Sequence, residues 1–183
     1  PARPCSGLAL PALGSPPRVK TKSAPTAGAV LVLAQPLGVG TLSAALKKEQ
    51  PGAEGYAQMI ATTTQLNKPG IELARLEAVH ALTDVTGFGL AGHLLEVCKG
   101  SKLAATIEWN KVPLLPGVID LAKSGFKTGA STRNWAGYGA LVDIRNGGDL
   151  EKTLLTDPQT SGGLLVTSTA DTVKGVLEIV REA

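Results

Sequence analysis

A chain of 183 residues, 43% hydrophobic and 18% charged, has the size and composition of one globular domain and not of a disordered chain. Aromatic residues are only 3%, too few stacking platforms for a sequence-independent binder of single strands, and apolar runs such as 27–34 are too short to span a membrane. The net charge of +3 comes from Arg3, Arg18, Lys20 and Lys22, which stand among no acids; the rest of the chain holds 14 basic against 15 acidic residues, so no basic folded face for nucleic acid is expected.

Residues 1–25 read as an unstructured leader, because Pro1, Pro4, Pro11, Pro16, Pro17 and Pro25 interrupt any element and Leu8, Leu10 and Leu13 are too few for a core. From residue 26 the pattern alternates strands and helices. Ala29–Leu33 is a buried strand. Pro36–Gly40 is a turn, and Thr41–Lys48 a helix stopped by Pro51-Gly52. Glu54–Leu66 and Gly70–Val79 read as two helices. Thr83–Gly89 is a glycine-bearing loop leading into a helix over Leu90–Lys99, closed by Gly100. Leu103–Trp109 alternates as a strand does, and Pro116–Lys123 is a short helix. Ser124–Gly139 reads as loop, Ala140–Ile144 as a strand, and Leu150–Leu155 as a short helix. Asp157–Gly163 is a polar loop before a strand at Gly163–Thr167, and Ala170–Arg181 is the terminal helix. No internal repeat appears.

Three loops carry candidate chemistry. In Thr83-Asp84-Val85-Thr86-Gly87-Phe88-Gly89, a carboxylate stands just before a Gly-x-Gly turn and a helix start. Asp84 there can take a place in the oxygen shell of Mg²⁺, with phosphates and water completing it, while the glycines let backbone N–H groups approach phosphate. The alternative is that Asp84 or Thr86 simply caps the helix. Asp157-Pro158-Gln159-Thr160-Ser161-Gly162-Gly163 packs hydrogen-bonding groups ahead of a strand, which suits a ligand loop or an elaborate turn. Arg133 could clamp phosphate with its planar fork, or be an ordinary surface arginine. His93, on the apolar side of its helix, reads as a packed and hydrogen-bonded core histidine, and Cys98 as core. Cys5 and Cys98 form neither a metal-ligand spacing nor a disulfide framework, which makes the cytoplasm the expected compartment. No Ser-His-Asp set, Walker A loop or dinucleotide fingerprint is present.

Thr83–His93 and Leu155–Gly163, together with Pro36–Gly40, Val112–Gly117 and Thr132-Arg133-Asn134 in the same order, resemble the C-terminal half of the selenophosphate synthetase (selenide, water dikinase) family over about residues 25–181. The resemblance implies an α+β fold, a layered mixed β-sheet flanked by helices, as in the C-terminal domain of the aminoimidazole ribonucleotide synthetase-related superfamily, over residues 26–183 and truncated at its C-terminus. It implies a parent reaction in which selenide, ATP and water give selenophosphate, AMP and phosphate. Mg²⁺ is the implied cofactor, with Asp84 its one ligand from this half. Thr83, Thr86, Gly87, Gly89, Arg133, Asn134, Asp157, Gln159, Thr160 and Ser161 are the implied lining of the ATP cleft. No catalytic residue is assigned to this chain, because the family's catalytic cysteine and lysine and its other metal carboxylates belong to an N-terminal segment, to which Cys5 has no likeness. Gln35 stands where the family usually has Lys, and Gly129-Ala130-Ser131 where it usually has a double glycine. Residues 1–25 match nothing in the family, and its final strands after the terminal helix have no counterpart, which leaves a sheet edge exposed.

Two readings follow from the resemblance. In one, the chain works in the cytoplasm with an N-terminal half or a full-length synthetase, homodimeric in the family, and is inactive alone; neither nucleic acid nor membrane is a partner. In the other, it is a non-catalytic fragment or interaction module that binds a full-length synthetase.

Overall fold

Strand propensity in three short apolar runs builds the centre of the domain, seen in a computed structural model that describes residues 20–182 apart from Pro51 and Asn146. β1 (Val30–Leu33), β2 (Val79–Asp84) and β3 (Leu164–Ser168) form a sheet of order β1-β3-β2 in which both pairings are antiparallel. The parallel pairing among the described residues is an isolated bridge, Leu37–Leu114. β3, the central strand, is buried along its whole length, as expected of a strand covered on both faces.

Helices cover both faces. Alternation along the strands sends Val32, Leu164 and Val166 to one side, where they meet Leu73 of α3 (Pro69–Leu73) and Val176 of α8 (Val173–Arg181). Leu31, Leu33 and Leu165 go to the other side, against Leu90, Ala91 and Leu94 of α4 (Gly89–Ser101). A third cluster joins Val39 and Leu42 of α1 (Val39–Leu46), Val118 of α5 (Val118–Lys123) and Leu154 of α7 (Asp149–Leu155). α2 (Gly52–Thr64) packs on α1, and α6 (Gly129–Tyr138) packs against both α4 and α7.

The expected α+β architecture holds, but the sheet is antiparallel where a mixed one was expected. The expected loop at Thr83–Gly89 gives Thr83 and Asp84 to β2, and the expected turn at Pro36–Gly40 gives Val39 and Gly40 to α1. Further local expectations fail. The helix expected over Gly70–Val79 ends at Leu73, and Val79 already belongs to β2, where a bulge between Val79 and Ala81 breaks the alternation. Gly100 lies inside α4, which ends on the left-handed Lys102; Gly100 is small because the Lys22 carbonyl oxygen would stand 2.8 Å from a Cβ there. Leu103–Trp109 forms no strand, since no neighbouring strand offers it a ladder; a 3-10 turn follows at Trp109–Lys111. Ser124–Gly139 holds α6 rather than only loop, capped by Thr128. Ala140–Ile144 is a 3-10 turn (Gly139–Leu141) and coil.

The leader expected over 1–25 lies outside the described residues as far as residue 19. Residues 20–25 are held to the body: Lys20 Nζ donates to the Leu76 carbonyl at 2.7 Å, Lys22 Nζ to Glu96 at 2.5 Å, and Pro25 is buried.

Candidate functional site

The loop leaving β2 and the loop entering β3 are backbone-bonded to each other. Val85 N–H donates to the Gly163 carbonyl at 2.9 Å, and Gln159 N–H to the Thr86 carbonyl at 3.0 Å. Two glycines allow this approach. A Cβ at Gly162 would collide with the Val85 carbonyl, and one at Gly89 (φ 68°) would lie 2.7 Å from the Thr156 carbonyl carbon. Asn134 on α6 ties both loops from the side, its Nδ2 donating to Gly87 O at 2.8 Å and Thr156 O at 3.0 Å. Tyr138, one turn further along α6, donates its hydroxyl to the Phe88 carbonyl.

Asp157 and Gln159 are both buried. Asp157 is 0% exposed, and its carboxylate accepts from Gly40 N–H (3.0 Å), Thr41 Oγ1–H (3.0 Å) and Gln159 Nε2–H (2.9 Å). Gln159 Oε1 accepts from Gly38 and Val39 N–H at 3.2 and 3.3 Å. The two side chains therefore hold the first turn of α1, which has no side-chain cap of its own. Their polar atoms are satisfied within the chain. Burial pushes the Asp157 carboxyl up to about 6, although Gln159, Thr41 and Gly40 hydrogen bonds pull the other way.

Asp84 is the opposite case. It is exposed at the end of β2, and among the described residues its carboxylate has no ion-pair or hydrogen-bond partner. It does not cap α4, whose N-cap is Phe88 without a side-chain bond, and neither does Thr86. Thr86 Oγ1 instead pairs with His93 Nε2 at 3.2 Å, so His93 is the hydrogen-bonded interior residue expected. Burial holds the His93 imidazole below its ordinary 6.5, against the pull of Glu96, whose Oε2 lies 3.4 Å from Nδ1.

Thr83 is half-buried, with its hydroxyl 3.3 Å from the Asp84 carbonyl. Gly87, Thr160 and Ser161 are exposed, Ser161 with φ 49°. Arg133 is exposed on α6 and lies beside Gly129, so the resemblance-implied set divides into an outward group and an inward group that braces it. Sequence reasoning missed Asn67, whose Nδ2 donates to Gly162 O at 2.9 Å, and Gly40-Thr41, the partners of Asp157. The short polar steps at the start of α1 were the available signal.

A single free carboxylate fits one position in a Mg²⁺ shell; among the described residues no group of three His, Cys, Asp or Glu could hold an ion by itself. No helix of the described residues is long and apolar enough to cross a membrane.

Residues 26–183 match the family model for the AIR synthase related protein, C-terminal domain. The chain is 55% identical over 179 residues to the selenide, water dikinase of Burkholderia orbicola (strain MC0-3), covering 97% of this chain and 51% of that protein. It is 56% identical over 182 residues to that of Burkholderia pseudomallei (strain K96243), with 98% and 51% covered, and 45% identical over 181 residues to that of Rhizobium meliloti (strain 1021), with 98% and 52% covered. The chain thus spans about half the length of these curated relatives. A match over 97% of the chain also runs into residues 1–25, which corrects the expectation that they match nothing. Among solved structures, Escherichia coli HypE superposes with a TM-score of 0.64 at 16% identity, over 90% of this chain and 42% of that one. The hydrogenase maturation protein HypE in complex with ATP gives 0.59 at 18% identity, over 89% and 41%.

Proposed function

Because this chain belongs to the AIR synthase-related C-terminal domain family, we propose that it is the C-terminal part of an ATP-dependent selenophosphate synthetase, cytoplasmic, and inactive without an N-terminal half. The observation that carries this reading is the 55% identity to a selenide, water dikinase over 97% of the chain. The HypE structure with ATP, of the same fold, supports a nucleotide as the ligand.

In this reading Asp84 supplies one carboxylate to Mg²⁺, and the N-terminal half supplies the others. Bound Mg²⁺ neutralises charge on the ATP phosphates during phosphoryl transfer. Thr83, Thr86, Gly87 and Gly89 shape the loop around that carboxylate. Arg133, Thr160 and Ser161 face the nucleotide. Asn134, Asp157 and Gln159 hold these groups from behind, so that little reorganisation is needed when the cleft closes.

The test mixes the purified chain with a separately produced N-terminal half from a curated relative and follows selenide-dependent formation of AMP and phosphate. Activity is expected only in the mixture. Asp84→Asn is expected to lower it at least about 100-fold, since a metal ligand carries several kcal/mol of charge stabilisation. Undiminished Mg²⁺-dependent activity in that variant overturns the metal role. A chain that binds the other half, or a full-length synthetase, without supporting turnover would be the non-catalytic interaction module instead.

A further inference from the structure

A row of polar contacts joins residues 20–25 to the loop that carries Asp84. Lys22 Nζ donates to Glu96 Oε2 at 2.5 Å, Glu96 Oε2 lies 3.4 Å from His93 Nδ1, and His93 Nε2 lies 3.2 Å from Thr86 Oγ1. The Lys22 end is held by backbone as well, because Gly100 lets the Lys22 carbonyl approach α4. His93 is 7% exposed, and Phe88 packs against its ring with centroids 5.9 Å apart. Leu90, Ala91 and Leu94 are enough to dock α4 on the sheet, so packing alone does not account for a polar row through this helix.

A neutral imidazole carries one proton, on either nitrogen. Burial holds this ring below its ordinary 6.5, so the neutral form is the one present at pH 7. An unprotonated Nδ1 would set its lone pair against the Glu96 carboxylate, whereas a protonated Nδ1 donates to it. Glu96, an acceptor fixed by Lys22, therefore selects the Nδ1–H form. Nε2 is then an acceptor, and the Thr86 hydroxyl donates to it. In the other tautomer Nε2–H would donate to Thr86, and the hydroxyl proton would be free to reach a phosphate oxygen. The two tautomers give the loop opposite ligand chemistry.

We infer that His93 is a positioning residue that takes the Thr86 hydroxyl proton, so that Thr86 offers only oxygen lone pairs to a ligand held at Asp84: a divalent cation or the water on it, and not a phosphate oxygen. A hydroxyl oxygen that faces a cation must send its proton elsewhere, and His93 Nε2 is the acceptor that receives it. Glu96 and Lys22 act through His93. The inference rests on the reading of Asp84 as a Mg²⁺ carboxylate and adds the groups that tune the oxygen beside it.

The full chain, labelled with nitrogen-15 and free of metal, reports the tautomer by nuclear magnetic resonance of the ring nitrogens at neutral pH, with His93→Gln separating the signals from those of His80. The Nδ1–H form is expected. Glu96→Gln is the variant that reverses it: Lys22 keeps the amide oxygen, the amide N–H turns to Nδ1, and the ring proton moves to Nε2. Glu96 is exposed, so circular dichroism should not change. In the mixture with an N-terminal half, Glu96→Gln and Thr86→Val are each expected to raise the Mg²⁺ concentration for half-maximal activity about tenfold. Thr86→Ser, which restores the hydroxyl, is expected to recover most of that loss. An Nε2–H ring in the unaltered chain, a tautomer that Glu96→Gln leaves in place, or a Mg²⁺ requirement that neither variant moves overturns the inference. An inactive mixture, or an unchanged Mg²⁺ dependence in Asp84→Asn, overturns the reading of Asp84 and with it the cation as ligand, while the ring spectra separately support or overturn the Thr86–His93 assignment.

Discussion

The buried Asp157 carboxylate makes stability depend on pH in the direction opposite to an ordinary ion-paired acid. Its folded value of about 6 stands above the ordinary 3.8, because burial disfavours the charge more than its three donors favour it. The folded state therefore binds the proton more tightly than the unfolded chain does. The contribution is fully present below about pH 4 and is lost as pH rises through about 6. That gap corresponds to about 3 kcal/mol at most. Urea unfolding of the chain and of Asp157→Asn, at pH 4 and pH 7.5, isolates it. Asparagine cannot ionise but turns an amide donor toward Gly40 N–H or Thr41 Oγ1, so the variant is expected to be less stable at pH 4. The difference between the two proteins should shrink by about 2–3 kcal/mol on going to pH 7.5. A difference that stays constant within about 0.5 kcal/mol, or that grows with pH, would refute the account of Asp157.

Leu154→Ala empties a fully buried position between α1, α5 and α7 and should cost about 2–5 kcal/mol in urea unfolding; a loss under about 1 kcal/mol would mean that the cluster collapses around it. Gly162→Ala forces a methyl group into the Val85 carbonyl. A cost of about 1–3 kcal/mol and amide shifts from Val85 to Gly89 are expected, and unchanged spectra there would contradict the close packing of the two loops. Because burial lowers the His93 value from 6.5, its ring should be neutral at pH 7. A midpoint above 6.5 in a proton titration by nuclear magnetic resonance would show that Glu96 outweighs burial.

What the sequence revealed depended on how each element is held. β1, β3, α5 and α7 are carried by apolar residues in runs or at helical spacing, and they appear where that pattern placed them. α6 was read as loop because it docks through polar groups: Ser131 bonds Thr156 and Thr153, Asn134 bonds Gly87 and Thr156, and Tyr138 bonds Phe88. Hydrophobic periodicity is blind to such a face. β2 was hidden by the bulge at its start, and 103–109 shows that alternation marks a strand only when a partner edge is present. At the site, the Asp157 loop was rightly singled out, yet its inward direction was not legible. Whether a carboxylate faces solvent or the N-terminus of α1 is decided by contacts across more than a hundred residues.

The order β1-β3-β2 also bears on how the chain is made. The strand that joins the other two is the last to leave the ribosome: Val32 pairs with Val166, and Leu82 with the same residue. Until Leu164–Ser168 is synthesised, β1 and β2 have no ladder to enter, and their apolar faces wait on helices that cannot yet close over a sheet. Translation at about 5–20 residues per second holds the first strand unpaired for many seconds. In that interval the nascent chain exposes two lone edges at once, the condition in which chaperone capture competes most directly with folding.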